Sequence, residues 1–429
     1  MFKKSTLFLI ISLLLFKTSL ISYNIKPQKL KINFYERFRF VSWDNAINLD
    51  DSSDSTYSFT RHRTSLSLEY LPSIKFELGL RLTNEFRVYL SPSDKKFNFN
   101  EIFFDQLYIK WKQLLNLPIT LTLGRQNIML GEGFVCFDGQ PLTGSRSAYF
   151  NALRADFKLS PDHKIILFYS YVPEKDDLLP ILNNRDQHLI EQTHTGIGLY
   201  YTGKLNKTGI DAYYIKKDTD VNENYPIKSK IDTFGARITT QVSEKLGFTV
   251  ECALQSGSYG NLIRKAFGGY FHIDYSTENI LPILNKVTFG GIFLTGDDPN
   301  TEKIEAWDPV FSRWPKWSES YIYTLIRENS VAYWSNLNSI YLTLSSTFSE
   351  KINFKLSFYH MGAEHPAALS NFPGGTGKIR GYLIIGKLTF KINNNLTSHF
   401  VLENFNPGNF YFDEASIYNW LRFELMLNF

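Results

Sequence analysis

The chain has 429 residues, a formal charge of +4, 43% hydrophobic and 16% aromatic residues, and a mean hydropathy of −0.20. So weak and dispersed a positive charge excludes a nucleic-acid-binding tail. Two cysteines, Cys136 and Cys252, are too few for a disulfide scaffold or a zinc cluster.

Residues 1–22, "MFKKSTLFLIISLLLFKTSLIS", place Lys3 and Lys4 ahead of an apolar run from Leu7 to Phe16 and a more polar end at Ser22. This is the pattern of a secretory signal peptide. Lys17 ends the run well short of the roughly 20 apolar residues that a membrane-spanning helix needs. The expected organisation is a signal peptide at 1–22 and a single domain at 23–429.

From residue 32 onward the chain alternates with period two. In "IKFELGLRLTNEFRVYL" (74–90), Ile74, Phe76, Leu78, Leu80, Leu82, Phe86, Val88 and Leu90 share one face, and Lys75, Glu77, Arg81, Thr83, Glu85 and Arg87 share the other. A strand has a side-chain period of two, so this is a long strand with one apolar and one charged face. Similar runs predict eighteen strands at 32–43, 56–70, 74–90, 101–112, 118–127, 150–159, 163–173, 193–203, 208–218, 229–242, 246–258, 265–276, 285–296, 334–347, 351–361, 379–392, 395–405 and 417–429. Many reach the length at which a tilted strand crosses a bilayer.

The connections alternate between short and long. Short turns fall at Leu71–Ser73, Ser160–Asp162, Ser243–Lys245 and Asn393–Asn394, and long loops at 44–55, 91–100, 128–149, 174–192, 219–228, 297–333 and 362–378. Bacterial outer-membrane barrels have this asymmetry. The final run sets Leu421, Phe423, Leu425, Leu427 and Phe429 on one face. Left unpaired in water it would aggregate, and closure against the first strand removes both edges. The sequence therefore predicts an all-β fold, a transmembrane antiparallel β-barrel of about 18 strands in the bacterial outer membrane. Its expected partners are outer-membrane lipid and, through the C-terminal strand ending at Phe429, the barrel-assembly machinery.

Motifs that suggest chemistry do not hold up. "PGGTGKIRG" (373–381) lacks the first glycine and the Ser or Thr of a phosphate loop and lies between strands. His360 and His365 are spaced five apart, where zinc helices use four. His62, His194, His272 and His399 are scattered over distant strands with no neighbouring nucleophile. No catalytic residue, metal or cofactor is expected.

The inward charges are more informative. Parity turns Arg37, Arg39, Arg61, Arg63, Arg81, Arg87, Arg154 and Arg237 toward the lumen. The first six come from three adjacent strands with few nearby acids and form a candidate ladder for anionic solutes. Loop 128–149 carries Gly131, Gly133, Gly139 and Gly144, which suit a loop folded tightly into the barrel mouth. There Arg125, Glu132, Asp138 and Arg146 would set the charge of a constriction.

Three blocks resemble the alginate-export family of outer-membrane barrels: "GRQNIMLGEGF" (124–134), "DGQPLTGSRSAYFNALR" (138–154) and "FLTGDDPNTEKIEAWDPVFSRWPKWSESYIY" (293–323). The resemblance implies an eighteen-stranded barrel with an electropositive constriction that passes a polyanionic polysaccharide outward. It assigns Arg125 and Arg154 to that constriction and places Trp307, Trp314 and Trp317 in an external loop. Arg125 has the parity of the lipid-facing Leu121 and Leu123, so an inward role requires a local bulge. The family's exporter has a long periplasmic plug-like loop, whereas the longest such turn here is 277–284.

The functional expectation is a passive channel for anionic small molecules or polyanionic oligo- and polysaccharides. The alternative is a mainly structural or adhesive barrel whose lumen is filled by loop 297–333.

Overall fold

The alternating sequence folds into one closed sheet. The computed structural model describes residues 30–53, 56–93, 101–137, 149–186, 188–277, 283–312, 316–328, 333–367 and 374–429. The expected signal peptide and the site candidates Asp138, Arg146 and Trp314 lie outside the described residues.

The wall runs through β1 (Leu30–Asp44), β2 (Tyr57–Ser73), β3 (Phe76–Ser91), β4 (Ile102–Trp111), β5 (Ile119–Gln126), β6 (Phe150–Ser160), β7 (His163–Val172), β8 (His194–Leu205) and β9 (Thr208–Thr219). It continues through β10 (Ser229–Gln241), β11 (Leu246–Tyr259), β12 (Leu262–Ser276), β13 (Lys286–Leu294), β15 (Leu337–Ser349), β16 (Ile352–Gly362), β17 (Ile379–Lys391), β18 (Leu396–Pro407) and β19 (Tyr418–Asn428). Each wall strand pairs antiparallel with its neighbours, and β1 closes the ring on β19 in a register that sets Arg39 beside Glu424. The two-residue β14 (Lys303–Ile304) pairs parallel with β12 at Ile263 and Arg264, outside the ring. All eighteen strands expected from the alternation are present.

The two faces separate as the period of two requires. Ile32, Leu66, Leu78, Val88, Leu123, Leu153, Ile197, Leu254, Ile340 and Leu402 are exposed on the outer wall. An exposed apolar belt is unfavourable in water and fits the hydrocarbon band of a bilayer. Tyr70, Trp111 and Tyr275 are exposed toward the turn end and Tyr169, Tyr171 and Tyr382 toward the loop end, where amphipathic rings suit the lipid–water interface.

The inner face does not enclose an empty pore. Phe134, Val135, Trp307, Val310, Phe311, Tyr321 and Leu325, all from loops or from α1 (Tyr321–Glu328), the one α-helix among the described residues, are buried together with wall residues such as Tyr200, Tyr270 and Leu337. The core of this barrel therefore lies in its lumen, built where two long loops fold inward.

Candidate constriction and vestibule

The loop after β5 enters the lumen through a tight turn. Gly131 and Gly133 have φ of 55° and 78°, a left-handed conformation that glycine adopts without a Cβ clash. The turn carries Glu132 across to the far wall. There its carboxylate lies 3.2 Å from His272 Nε2, 3.3 Å from Lys316 Nζ and 3.9 Å from Arg237 Nη1. Arg237 is itself held by Asp211 at 2.6 Å. Burial would raise the Glu132 carboxyl, but the hydrogen bond to His272 and the charge of Lys316 hold it down at about 2. Lys316 is pushed below the usual lysine value by burial, against the pull of Glu132.

The loop between β13 and β15 enters from the other side and meets the first. Trp307 stacks on Phe134, with ring centroids 5.1 Å apart and 14° between planes. It lies over Gly268, where any Cβ would sit 2.5 Å from the indole. Trp317 turns its edge toward Tyr270 and Trp334. Backbone bonds tie the two loops, Phe311 N–H to Val135 O at 3.1 Å and Phe137 N–H to Phe311 O at 3.1 Å.

Buried polar groups anchor the crossing loop to the wall. Asp308 accepts from its own Val310 N–H and faces Lys217 at 3.6 Å, while Gln255 bonds the Asp308 backbone in both directions. Despite burial, the Lys217 charge helps hold the Asp308 carboxyl below its ordinary value. On the opposite wall, Glu403 accepts from the Ser318 and Ser320 hydroxyls and Glu319 pairs with Arg422. Farther along, the guanidinium of the fully buried Arg380 holds Glu328 of α1 through two bonds of 3.0 and 2.9 Å. An unpaired buried charge is costly, so both ends of this loop are held by matched partners.

The six-arginine ladder lies on the inner face as parity requires, and acids accompany it. Glu85 takes Arg61 at 2.8 Å, Arg63 at 3.1 Å and Arg37 at 3.5 Å. Asp105 takes Arg63 at 3.2 Å and Arg81 at 3.8 Å, and Glu424 takes Arg39. Arg37, Arg39, Arg61 and Arg63 are buried, and Arg87 lies over the Phe59 ring at 5.1 Å. The few nearby acids expected from the sequence are thus three, each in contact with the cluster. Period two fixes the face of Glu85, Asp105 and Glu424, but the closed ring and the register decide how near they come.

The remaining candidates divide. Arg154 is inward and bonded twice by Asp156, at 2.9 and 2.8 Å. Arg125 is fully buried, stacked 3.7 Å over Tyr149 and bonded by Asp176, Asn151 and the Phe104 carbonyl. Its register with β4 and β6 is continuous, without the bulge that an inward turn requires. It props the β7–β8 loop against the wall, and its bonded partners do not include Glu132. Trp307 and Trp317, expected in an external loop, belong to a loop that folds into the lumen.

Below the crossing loops, at the end bearing the short turns, lies a cavity of about 1000 Å3. Lys158, Lys164, Lys204, Lys207, Lys245, Lys286 and Arg237 line it, against Asp156, Asp162, Asp211, Glu244 and Asp274. Lys164 and Lys286 face Asp156 and Asp274 at 3.6 and 2.8 Å. Lys158, Lys204, Lys207 and Lys245 are exposed and make no ion pair among the described residues. Of these four, strand parity directs only Lys158 to the lumen. The other three sit at strand ends and turns, where parity gives no direction.

The family model described as alginate export matches residues 26–360. A search of the curated proteins found no match. Among solved structures, OpdQ of Pseudomonas aeruginosa is similar at 12% identity and a TM-score of 0.60, over 93% of this chain and 98% of that one. OpdK of the same organism is similar at 10% identity and 0.59, over 93% and 98%. OccAB4 of Acinetobacter baumannii gives 10% identity and 0.59, over 94% and 99%. At these identities the likeness is one of fold, an outer-membrane porin barrel.

Proposed function

Because the chain belongs to the alginate-export family of outer-membrane β-barrels, we propose that it is a passive channel for anionic solutes, up to polyanionic oligosaccharides. The observation that supports this reading is the vestibule, where Lys158, Lys204, Lys207 and Lys245 are exposed and make no ion pair among the described residues. Seven Lys and Arg side chains against five carboxylates line this cavity, and a partly enclosed cavity with an excess of one sign raises the local concentration of the opposite ion. Screening over about 8 Å at physiological salt confines the effect to the vestibule itself.

The arginines of β1–β3 contribute less to attraction on this reading, because four of them are buried and Glu85, Asp105 and Glu424 offset part of their charge. Solutes pass from the vestibule to the loops around Glu132 and Lys316, and conduction requires binding strong enough to enter and weak enough to leave. Passage is therefore governed by the two crossing loops.

A second reading has its own support. The burial of Phe134, Trp307 and Tyr270 across the lumen also suits a mainly structural or adhesive barrel. One measurement separates the two. In a planar bilayer the channel reading expects conductance steps, a reversal potential of anion selectivity and blockade by added polyuronate. Cation selectivity would overturn the anionic assignment, and a complete absence of steps would favour the structural barrel.

A further inference from the structure

One stretch of the outer wall is hollow. On β11, β12 and β13, Glu251, Ala253, Tyr270 and Ile292 are buried on the inner face, so their chain neighbours Cys252, Gly269, Phe271, Gly291 and Phe293 point outward. Two of these outward positions are glycines, and they leave a groove of about 540 Å3 rimmed by Phe267, Phe293 and Ile340. Ligand sites commonly have volumes of roughly 300–1,000 Å3. Gly269 forms part of the floor, where a Cβ would sit 2.8 Å from the Glu251 carbonyl oxygen.

The groove ends at a charged rim on the side of the external loops. The register sets Tyr214, Phe234, Leu254 and Phe267 in one outward row, and Lys216, Asp232, Ser256 and Lys265 in the next. That change from apolar to polar marks the level at which hydrocarbon gives way to headgroups. Lys303 of β14 joins Lys265 there. It pairs with the outward Ile263, while its neighbour Ile304 lines a cavity inside the barrel. Lys265 and Lys303 are exposed and make no ion pair among the described residues. The acids at this level have other partners. Asp232 accepts from the Tyr214 hydroxyl at 2.6 Å, Asp297 from the Glu305 N–H at 2.7 Å, and Glu305 from the Thr301 hydroxyl at 3.0 Å.

We infer that this groove and its rim hold one phosphorylated lipid of the outer leaflet, with an acyl chain in the groove and a phosphate at Lys265 and Lys303. The belt around the groove faces lipid, so the groove opens onto acyl chains and not onto water. A cleft left unfilled forfeits the contacts of its walls, and a flexible chain follows a groove that a flat neighbouring surface would bridge. Lysine stems lie along apolar surface and carry their charge to the headgroup level, where basic residues attract anionic lipid. A second copy of this chain is a poorer occupant, because a two-fold contact would set the same two lysines against their own counterparts. The inference is independent of what the lumen conducts.

The full-length barrel carries its own reporter, since Cys252 is exposed in the groove and Cys136 is buried. In detergent micelles, bisphosphorylated lipid A should slow maleimide labelling of Cys252 about tenfold or more. A Lys265→Glu, Lys303→Glu double variant should need about tenfold more lipid for the same protection. Dephosphorylated lipid A and inorganic phosphate each supply half of the ligand and should protect far less. A Leu153→Cys thiol on a distant part of the outer wall, in a Cys252→Ala background, should be labelled equally with and without lipid A. In native mass spectrometry the wild type should retain one lipid A, and Cys252→Trp, which fills the groove without altering the lysines, should retain none. An unprotected Cys252, equal protection by dephosphorylated lipid A, or a double variant that behaves as wild type overturns the proposal. Heat-resistant mobility on gels checks folding. Where the double Glu variant does not fold, Lys265→Gln with Lys303→Gln takes its place, and wild-type protection in it is equally fatal.

Discussion

Glu132 and Lys316 meet at 3.3 Å inside the lumen although 184 positions separate them in the chain. The contact joins the loop after β5 to the loop after β13, and with the Phe134–Trp307 stack it ties the two loops together inside the lumen. What this barrel admits depends on how firmly those loops hold.

Removing the indole should open the closure. Trp307→Ala deletes a fully buried ring against Phe134 and Gly268, a change that costs a packed site about 3–5 kcal/mol. The wall strands do not depend on it, so the barrel should still form. Single-channel recordings should show larger and noisier steps than wild type, and unchanged steps would show that the stack does not limit passage.

The same latch gives a pH dependence with a definite sign. The Glu132 carboxyl is depressed from 4.5 to about 2, so its contribution to loop closure is complete above 4.5 and is lost as pH falls through about 2. Conductance should be constant between pH 7 and 5 and should rise as pH falls from 4.5 toward about 2. Glu132→Gln should show the acid behaviour already at neutral pH. A variant with wild-type conductance and pH profile would remove Glu132 from the gate.

Glu85 serves three arginines, and its loss should be felt in stability more than in conductance. Glu85→Gln leaves Arg37, Arg61 and Arg63 without their shared counter-ion, and breaking a buried charge cluster costs about 3–5 kcal/mol. The midpoint of denaturant unfolding in micelles should fall. Replacing Arg61 by Met in the same chain should recover part of the loss.

Selectivity should follow the vestibule rather than the ladder. Changing Lys158, Lys204, Lys207 and Lys245 together to Glu reverses the sign of groups that make no ion pair among the described residues. The reversal potential should shift toward cations, more so at low salt because screening is weaker there. Neutralising Arg87 alone should move it little.

At the mouth, the Arg380–Glu328 pair provides a double-mutant test. Arg380→Met strands a buried carboxylate and should destabilise by about 3–5 kcal/mol, whereas Arg380→Met with Glu328→Leu should be close to wild type. Thermal unfolding of the three variants measures both steps.

The strands were legible in the sequence because a pleated strand alternates its side chains whatever it pairs with, so "IKFELGLRLTNEFRVYL" carries its own facing. On that basis parity turns the six arginines of β1–β3 inward, and the fold buries Arg37, Arg39, Arg61 and Arg63 beside Glu85, Asp105 and Glu424. Arg125 shows the limit: its parity pointed outward, and the structure makes it a buried prop of the β7–β8 loop, bonded to Asp176. Asp176 lies in a loop, where no period applies.

By itself, the sequence determined the wall: eighteen strands, their facing and the alternation of short turns with long loops, all set by local periodicity and turn chemistry. Only the tertiary structure decided what the lumen contains. Ring closure brings Glu424 to Arg39, register gathers three arginines on Glu85, and inward folding of two loops sets Glu132 among His272, Lys316 and Arg237. Contacts between residues so far apart depend on the closed geometry of the whole sheet, which no local pattern records.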